Sequence, residues 1–328
     1  MNFIVFVNGV VLLFLAALMG IDALIFKDTI VIFGVSALLT GFLGLILTIA
    51  ASSSFEDLRR SHTFLLTSSV WMTAALAGAL PLYLWSMPPV DAIFEAMSGI
   101  TTTGSTVMTG LDQTARGILL WRAMLQALGG VGFIVTGIAL LPILKVGGMQ
   151  LFQTESSDKG EKVLSSATKV ATATLLVYLG LIALCAIAYL NGGMSFFDAV
   201  THAMTTLSTG GYSNYDASFG HFDSPFLQWS ATLFMLLGAL PFVWYIRAIT
   251  KRVFGSEQVT MMLWSLSIVI LALTIWLSQT NDIPAFTALR LVAFSVVSIV
   301  TTTGYAVDDY TVWGTFAVAA FVILTAVG

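Results

Sequence analysis

SGITTTGSTVMTG, residues 98–110, places five threonines and three glycines in a stretch of thirteen residues. The rest of the chain differs sharply in character, because 58% of its 328 residues are hydrophobic and only 9% are charged. Threonine and glycine are unfavourable in a helix interior and contribute little to an apolar core. The stretch is therefore predicted to be irregular backbone within an apolar protein.

Long apolar runs place this stretch in a membrane. A helix needs about 20 mostly apolar residues to cross a bilayer. Eight spans are predicted, near residues 3–20, 29–50, 62–86, 116–143, 167–190, 226–249, 259–278 and 311–328. The chain is expected to be a multi-pass membrane protein.

The charged residues are divided unevenly between the linkers. With eight alternating crossings, the linkers after the second, fourth and sixth spans share one side, which the positive-inside rule makes cytoplasmic. They and the adjoining span ends hold Arg59, Arg60, Lys145, Lys159, Lys162, Lys169, Arg247, Lys251 and Arg252. The outer linkers hold Asp112, Asp216, Asp223, Asp282, Asp308 and Asp309. These acids either are simply solvated or raise the local concentration of cations.

Several classes of function find no support in the sequence. A formal net charge of −4 argues against binding to nucleic acid, which calls for a basic surface. There is no G-x-S-x-G arrangement for an intramembrane hydrolase. The only glycine-rich loop candidate, GGVG at 129–132, lies inside an apolar span and favours close helix packing. We therefore predict that the chain is not an enzyme and carries no cofactor.

Three outer linkers are too long and too apolar to be simple loops. Residues 89–105, 195–212 and 285–305 each combine a short helix-like apolar segment with a Thr/Ser/Gly cluster. They are too short to cross the bilayer and return, which indicates re-entrant hairpins. Non-helical backbone at membrane depth is tolerated only where protein or a water-filled cavity surrounds it.

These three segments form an internal repeat with a period of roughly 100 residues. The first reads VDAIFEAMSGITTTGS and the second FFDAVTHAMTTLSTGGYS. Asp91 precedes Gly104 by thirteen positions, and Asp198 precedes Gly211 by the same thirteen. The third, RLVAFSVVSIVTTTGY, shares the cluster but not the Asp-Ala start, and its Gly304 corresponds to the other two glycines.

Each repeat thus predicts a span, a half-helix, a Thr/Gly segment and a second span. The C-terminal end of a helix carries partial negative charge and favours a cation. The Thr/Gly segment that follows can present carbonyl and hydroxyl oxygens, with glycine allowing backbone conformations closed to other residues. Rings of carbonyls that replace a hydration shell select K⁺ in channels. A single such cluster is more often a packing patch, but three equivalent copies indicate ion coordination.

On these residues the chain resembles the Trk/Ktr/HKT superfamily of potassium transporters, and most closely its TrkH-type subunit. The stretches that carry the resemblance are MSGITTTGSTVMTGLD, LQALGGVGFIVTGIALLPILKVGGMQLF, GGMSFFDAVTHAMTTLSTGGYSNYDASFGHFDSP and SIVTTTGYAVDDY. With the spacing between them they cover nearly the whole chain after residue 55.

The resemblance implies an all-α membrane protein with tandem span, pore half-helix, span repeats around a central pore, preceded by two extra N-terminal transmembrane helices. It implies K⁺ uptake across a bacterial inner membrane, a homodimer, and a cytosolic TrkA-type nucleotide-binding regulatory subunit. The filter residues implied by motif match are Thr102, Thr103, Gly104, Thr209, Gly210, Gly211, Thr302, Thr303 and Gly304. Plant relatives with serine at the position of Gly104 favour Na⁺, so glycine here points to K⁺.

The resemblance also predicts the division of the chain. Residues 1–55 would form the N-terminal helix pair, 56–150 the first pore repeat, 151–255 the second and 256–328 an incomplete third. The family's fourth repeat and its glycine-rich gating loop belong beyond Gly328. We therefore expect a C-terminally truncated fragment with three of four repeats, and no conduction if the native chain ended there.

Two other functions stay open at this stage. A secondary transporter for a small solute would also place broken helices at the membrane midplane, although such folds usually show two related halves. A non-transporting membrane scaffold or receptor is the third possibility, although it has no need of repeated Thr/Gly segments. None of the three readings tells passive from H⁺- or Na⁺-coupled transport.

Five ionisable residues fall within predicted spans or half-helices, where charge is costly and usually faces a partner or cavity. They are Glu95, Arg122, Asp198, His202 and Arg290. Glu95 and Arg122 are expected to pair. Asp91 and Asp198 begin their half-helices, which favours a dipole-complementing role over direct ion contact. His202 has no second ligand at metal-binding spacing, so a structural role is predicted.

Overall fold

The computed structural model describes residues 2–52, 60–144 and 161–327, and in these ranges all long elements are helices. The helices are α1 (Asn2–Ile25), α2 (Ile30–Ala50), α3 (Arg60–Leu84), α4 (Pro89–Ile100), α5 (Arg116–Leu144), α6 (Glu161–Asn191), α7 (Phe196–Leu207), α8 (Pro225–Ala239), α9 (Phe242–Lys251), α10 (Glu257–Thr280), α11 (Ala285–Val300) and α12 (Thr315–Val327). The predicted all-α class is confirmed.

Some predictions lie outside the described residues. These are the basic residues Arg59, Lys145 and Lys159 of the predicted cytoplasmic linkers, and the domain boundaries after residues 55 and 150. The proposed division into a helix pair and three repeats stays a prediction.

The order of long and short helices follows the predicted repeat. Each of α3, α6 and α10 is followed by a shorter helix, α4, α7 or α11, and then by a loop leading to the next helix, α5, α8 or α12. The short helices contain 12, 12 and 16 residues. At a rise of about 1.5 Å per residue, none of them is long enough to cross a bilayer of about 30 Å.

Among the described residues, five helices are long and apolar enough to cross a membrane, namely α1, α2, α3, α6 and α10. A sixth span exists if the bent pair α8 and α9 is counted as one crossing. The predicted span 116–143 falls on α5, and the predicted span 311–328 becomes the shorter apolar helix α12. The multi-pass membrane character is therefore confirmed.

The predicted span 226–249 is not one straight helix. The chain breaks between Ala239 and Phe242 and turns by 89°. Pro241 has no N–H to donate and disfavours helical backbone at the preceding residue, and Leu240 is accordingly extended, with φ −68° and ψ 143°. The hydroxyl of Tyr245 donates to the carbonyl of Leu237 at 2.6 Å, which satisfies one acceptor freed by the break.

The chain divides into two compact units. The first comprises residues 1–101, 105–108 and 113–175, and the second comprises 102–104, 109–112 and 176–328. Each unit has its own packing.

In the first unit the N-terminal helix pair packs through glycine. Gly9 of α1 and Gly44 of α2 lie so close to the opposing backbone that a side chain at either would clash with it. Small residues of this kind let membrane helices approach closely. Trp121 of α5 donates its indole N–H to the carbonyl of Gly78 in α3 at 2.9 Å and packs edge-on against Phe33 of α2. These contacts join the pair to the first repeat.

In the second unit an apolar core joins the three helices of the last repeat. Leu266, Leu273 and Leu277 line one face of α10 at spacings of seven and four residues, as a core-facing helix requires. They pack with residues of α11, the following turn and α12, namely Ala288, Val292, Val296, Trp313, Ala317 and Phe321. This core holds the third half-helix in place.

Candidate functional site

The three short helices α4, α7 and α11, which are the predicted half-helices, end at equivalent residues immediately before the Thr/Gly clusters. The backbone N–H groups of Thr101, Ser208 and Thr301 donate to carbonyls four residues earlier, at 2.9, 3.1 and 2.9 Å. The chain then leaves helical geometry in all three. We call residues 102–104, 209–211 and 302–304 the filter segments, after the role that the sequence predicts for them.

Each filter segment has the same unusual backbone. Its first residue, a threonine, and its last, a glycine, both have positive φ. The angles are 58° and 78° for Thr102 and Gly104, 52° and 69° for Thr209 and Gly211, and 58° and 79° for Thr302 and Gly304. Positive φ is rare for a β-branched residue, so three such threonines at equivalent positions indicate a functional constraint.

This backbone changes where the carbonyl oxygens point. In an ordinary extended chain successive carbonyls alternate between opposite sides, whereas a left-handed residue reverses part of that alternation. In the second and third segments the amide of the terminal glycine is turned back onto its own half-helix: Gly211 donates to the Thr205 carbonyl and Gly304 to that of Ser298, each at 3.1 Å. The segments are suited to offering several carbonyl oxygens on one side.

All three filter segments fall in the second unit, although the first follows a half-helix of the other unit. The second and third adjoin directly, because a Cβ placed on Gly211 would overlap the carbonyl oxygen of Thr303. At Gly304 the corresponding space is open, with no atom within 4 Å. Gly211 is therefore required both by its φ angle and by its neighbour.

A buried ion pair supports the first loop, which connects α4 to α5. Arg122 of α5 and Glu95 of α4 are both buried and form a contact of 2.9 Å between Nε and Oε1, as predicted. Glu95 also accepts from the hydroxyl of Thr106 at 2.9 Å and from the amide of Val107 at 3.1 Å. Ser98 of the same half-helix donates to the Ser105 carbonyl at 2.6 Å. The chain leaving the filter is thereby fixed to the half-helix.

The second loop is supported at the equivalent position by a histidine. His202 corresponds to Glu95 in the repeat and Ser213 to Thr106. The Nδ1 of His202 lies 2.9 Å from the Asp198 carbonyl and must carry the proton, since a carbonyl only accepts, and Nε2 lies 3.0 Å from the Ser213 hydroxyl. Burial lowers the pKa of His202, so the ring is neutral and Nε2 accepts.

The two supporting hydroxyls have a second function in common. Thr106 accepts from the amide of Met108 at 3.0 Å, and Ser213 accepts from the amide of Tyr215 at 3.2 Å. Each hydroxyl therefore closes a local turn while it contacts its half-helix. The predicted structural role of His202 is confirmed by these contacts.

Asp198 does more than complement the dipole of its helix. Its carboxylate accepts from Ser195 at 2.6 Å, from Asn214 at 2.9 Å and from Tyr215 at 3.0 Å. Burial acts to raise its pKa, but the hydrogen bonds from these three donors outweigh burial and lower the pKa overall. The ionised carboxylate thus ties the outgoing chain of the second loop to the start of its half-helix.

The third loop, which connects α11 to α12, is supported by contacts of a tyrosine. Ser298 donates to the Tyr305 carbonyl at 2.7 Å, which repeats the contact of Ser98 in the first loop. The Tyr305 hydroxyl lies 2.5 Å from that of Thr205, which occupies the same position in the second half-helix. The Thr205 side chain therefore connects to the third loop, while its carbonyl accepts from the Gly211 amide of its own loop.

The outer acids have specific contacts. The carboxylate of Asp216 accepts from the amides of Gly110 and Leu111 at 2.8 and 3.1 Å, which joins the exits of the first two loops. Asp308 accepts from the indole of Trp313 at 3.0 Å. Hydrogen bonds from Thr311 lower the pKa of Asp309, which is fully exposed. At least three of the predicted outer acids thus have a local structural role.

Some of these supports were not foreseen. Ser98 and Ser298 each stand seven residues before the carbonyl they contact, and Glu95 and His202 each stand eleven before their hydroxyl partner. Both spacings are visible once the repeats are aligned. Arg290, the remaining ionisable residue predicted to need a partner, is half-buried on α11, and its Nε has none. No group of three or more metal-ligating side chains occurs in the described parts of the chain.

Comparisons with known proteins identify the family and relatives of the chain. Residues 34–328 match the family described as TrkH, cation transport protein. The chain is 50% identical over 278 residues to the Trk system potassium uptake protein TrkI of Halomonas elongata, covering 83% of this chain and 56% of that protein. It is 34% identical over 277 residues to the Trk system potassium uptake protein TrkH of Escherichia coli, covering 79% and 56%.

The fold is also similar to a solved structure. The crystal structure of the potassium transporter TrkH from Vibrio parahaemolyticus superposes with a TM-score of 0.88 at 27% identity, covering 98% of this chain and 69% of that one. The chain spans just over half the length of the two curated relatives described above.

Proposed function

The chain belongs to the TrkH family of cation transport proteins, and from that premise we propose that it contributes three filter segments to a K⁺ uptake pathway. The family is one of transport proteins rather than enzymes. The chain is a multi-pass protein of the bacterial inner membrane, since it contains several spanning helices and its named relatives are bacterial Trk system proteins.

The observation that carries the proposal is the threefold recurrence of one strained backbone. A threonine and a glycine with positive φ stand at the same two positions after each half-helix. A lipid-facing or merely packed loop has no need for this conformation three times. The proposed K⁺ ligands are backbone and hydroxyl oxygens of Thr102, Thr103, Gly104, Thr209, Gly210, Gly211, Thr302, Thr303 and Gly304.

The half-helices support this assignment electrostatically. Each filter segment begins at the C-terminal end of its half-helix, where the helix dipole attracts a cation. A secondary transporter of an organic solute is not favoured, because it has no use for three tandem copies of one loop. We further propose that the protein acts as a homodimer with a cytosolic TrkA-type nucleotide-binding subunit, as the family relationship suggests.

The test is the substitution Gly104→Ser in the complete gene, expressed in a bacterium that lacks its own K⁺ uptake systems. We expect K⁺ over Na⁺ discrimination to fall, because a side chain at φ 78° strains the segment and moves its carbonyls. Growth on limiting K⁺ and uptake of Rb⁺ and Na⁺ tracers provide the measurement.

Gly110→Ser is the matched control. Gly110 lies in the same loop, has a φ of 73° and has no atom within 4 Å of an added Cβ, but it stands outside the filter segment. It should retain selectivity. Absence of any monovalent cation flux from the unsubstituted protein, or equal selectivity in both variants, would contradict the proposed filter.

A further inference from the structure

A carboxylate near the end of α1 has no hydrogen-bond partner within the described part of the chain. Asp22 is completely buried, at 0% exposure, and neither of its side-chain oxygens has a hydrogen-bond partner. The hydroxyl of Thr29, which precedes α2, is 1% exposed and equally without a partner. Buried polar atoms in native proteins nearly always find one, so two neighbouring exceptions call for an explanation.

Both orphan groups face the same point. An added Cβ on Gly117, in the first turn of α5, would overlap the Thr29 hydroxyl and lie 2.8 Å from Oδ1 of Asp22. Only a glycine leaves room for the two oxygens at this position. The N-terminal helix pair and the first repeat therefore meet around a small polar site within the first unit.

Thr29 is the N-cap residue of α2. The hydroxyl of a threonine at this position usually accepts a hydrogen bond from a backbone amide of the first turn. In this structure it makes no such capping bond. Its hydroxyl is instead directed to the space shared with Asp22, which indicates that it serves that site rather than the helix.

Among the residues that the structure describes, no charged side chain bonds to Asp22. The nearby charged residues Lys27, Asp28 and Arg116 all have exposed side chains. Three or more metal-ligating side chains do not converge anywhere among the described residues, and two oxygens alone would coordinate a metal ion poorly. The first turns of α2 and α5 lie nearby, but none of their amides donates to Asp22.

An ionised Asp22 would thus be a buried charge without hydrogen bonds, which is among the costliest arrangements in a protein. The helix ends do not change that balance. The C-terminal end of α1 disfavours an anion and the start of α5 favours one, but each effect is small compared with burial of an unpaired charge. A single proton removes the charge and adds the missing donor.

We propose that Asp22 is a proton-binding site, protonated at neutral pH, and that its O–H closes onto the hydroxyl of Thr29 beside Gly117 to form the hydrogen bond that neither group makes in this structure. The bound proton joins the N-terminal helix pair to the first repeat. Asp22 and Thr29 both precede residue 34, where the match to the family begins, whereas Gly117 lies inside the matched region.

Infrared difference spectroscopy on the purified full-length protein tests this directly. At pH 7 the wild-type spectrum should contain a carboxylic-acid carbonyl band that shifts in D₂O and is lost in Asp22→Asn. Asp28→Asn, which removes a neighbouring but exposed carboxylate, should leave that band unchanged. If Asp22→Asn loses a carboxylate band and keeps the carboxylic-acid band, the proposal is overturned.

Thr29→Val keeps the test decisive if Asp22→Asn does not fold. Valine has nearly the shape of threonine but cannot accept a hydrogen bond, so the acid band should persist and move to higher frequency. A band that does not move would show that Thr29 is not the acceptor and overturn the proposed pairing. A carboxylate signal that changes when Na⁺ replaces K⁺ would instead identify a bound metal cation and refute a proton.

Discussion

The first and second loops have the same backbone conformation in their filter segments, but different side chains support them. In the first, the chain leaving the filter is largely exposed at residues 105–107 and is held by the buried ion pair of Glu95 and Arg122. In the second, residues 212–214 are buried, and neutral His202 together with Asp198 holds them through hydroxyl and amide donors. The filter geometry is kept while the chemistry that supports it varies.

The difference follows from the surroundings of each loop. The second loop lies against aromatic rings, with His202 in edge contact with Phe222 at 5.2 Å and Tyr215 stacked on His221 at 3.5 Å. Apolar burial supplies much of its stability, and hydrogen bonds to neutral His202 and to the ionised Asp198 complete it. The first loop is exposed at residues 105–107, and a charge-assisted network supplies the constraint there. We expect removal of one partner to cost more in the first loop than in the second.

The largest effect should follow from Arg122→Leu. The substitution leaves Glu95 as a buried charge without its partner, and breaking a buried pair in this way costs about 3–5 kcal/mol of unfolding free energy. Cys185 is the chain's only cysteine and is fully buried, so the reaction of a fluorogenic thiol probe during heating in detergent reports unfolding.

The control for that measurement is Arg116→Leu, at an exposed position near the start of the same helix. A double variant, Glu95→Met with Arg122→Met, should be less unstable than Arg122→Leu alone, because it leaves no unpaired charge. Equal melting temperatures for Arg116→Leu and Arg122→Leu would refute the charge-based support of the first loop.

An intermediate effect is expected for Gly211→Ala, and comparison with Gly304→Ala sharpens it. Both glycines have positive φ, which costs an alanine about 1–2 kcal/mol. Only Gly211 faces a backbone carbonyl, and overpacking adds about 1–3 kcal/mol there. K⁺ uptake should therefore fall more in Gly211→Ala than in Gly304→Ala, measured at matched expression. The reverse order would show that the second and third segments do not adjoin as described.

The smallest effect is expected for Ser213→Ala in the second loop. It removes the donor to Nε2 of His202, and an unsatisfied buried acceptor costs about 1–3 kcal/mol. Thermal unfolding followed by the same thiol probe is the measurement, with Ser265→Ala on the exposed face of α10 as control. A loss of thermal stability as large as that of Arg122→Leu would remove the distinction between the two loops.

Much of the site could be predicted because it depends on local backbone chemistry. The half-helices end at Thr101, Ser208 and Thr301, immediately before residues whose type and spacing are visible in the repeat. The break at Pro241 was missed, since the hydropathy of the surrounding residues reads as one continuous span. Proline alone does not decide between a kinked helix and a break, and the outcome depends on whether contacts such as that of Tyr245 compensate the lost hydrogen bonds.

The sequence by itself determined the membrane class, the threefold repeat and the positions of the filter segments, because each of these rests on hydropathy and on the conformations open to threonine and glycine. Apart from the predicted pairing of Glu95 with Arg122, only the tertiary structure decided which side chains support the loops. Glu95 and His202 are chemically unlike, yet both hold a hydroxyl eleven residues later. Nor does any pattern in the chain reveal that Asp22 and Thr29 meet at Gly117, because such a meeting depends on how distant helices pack.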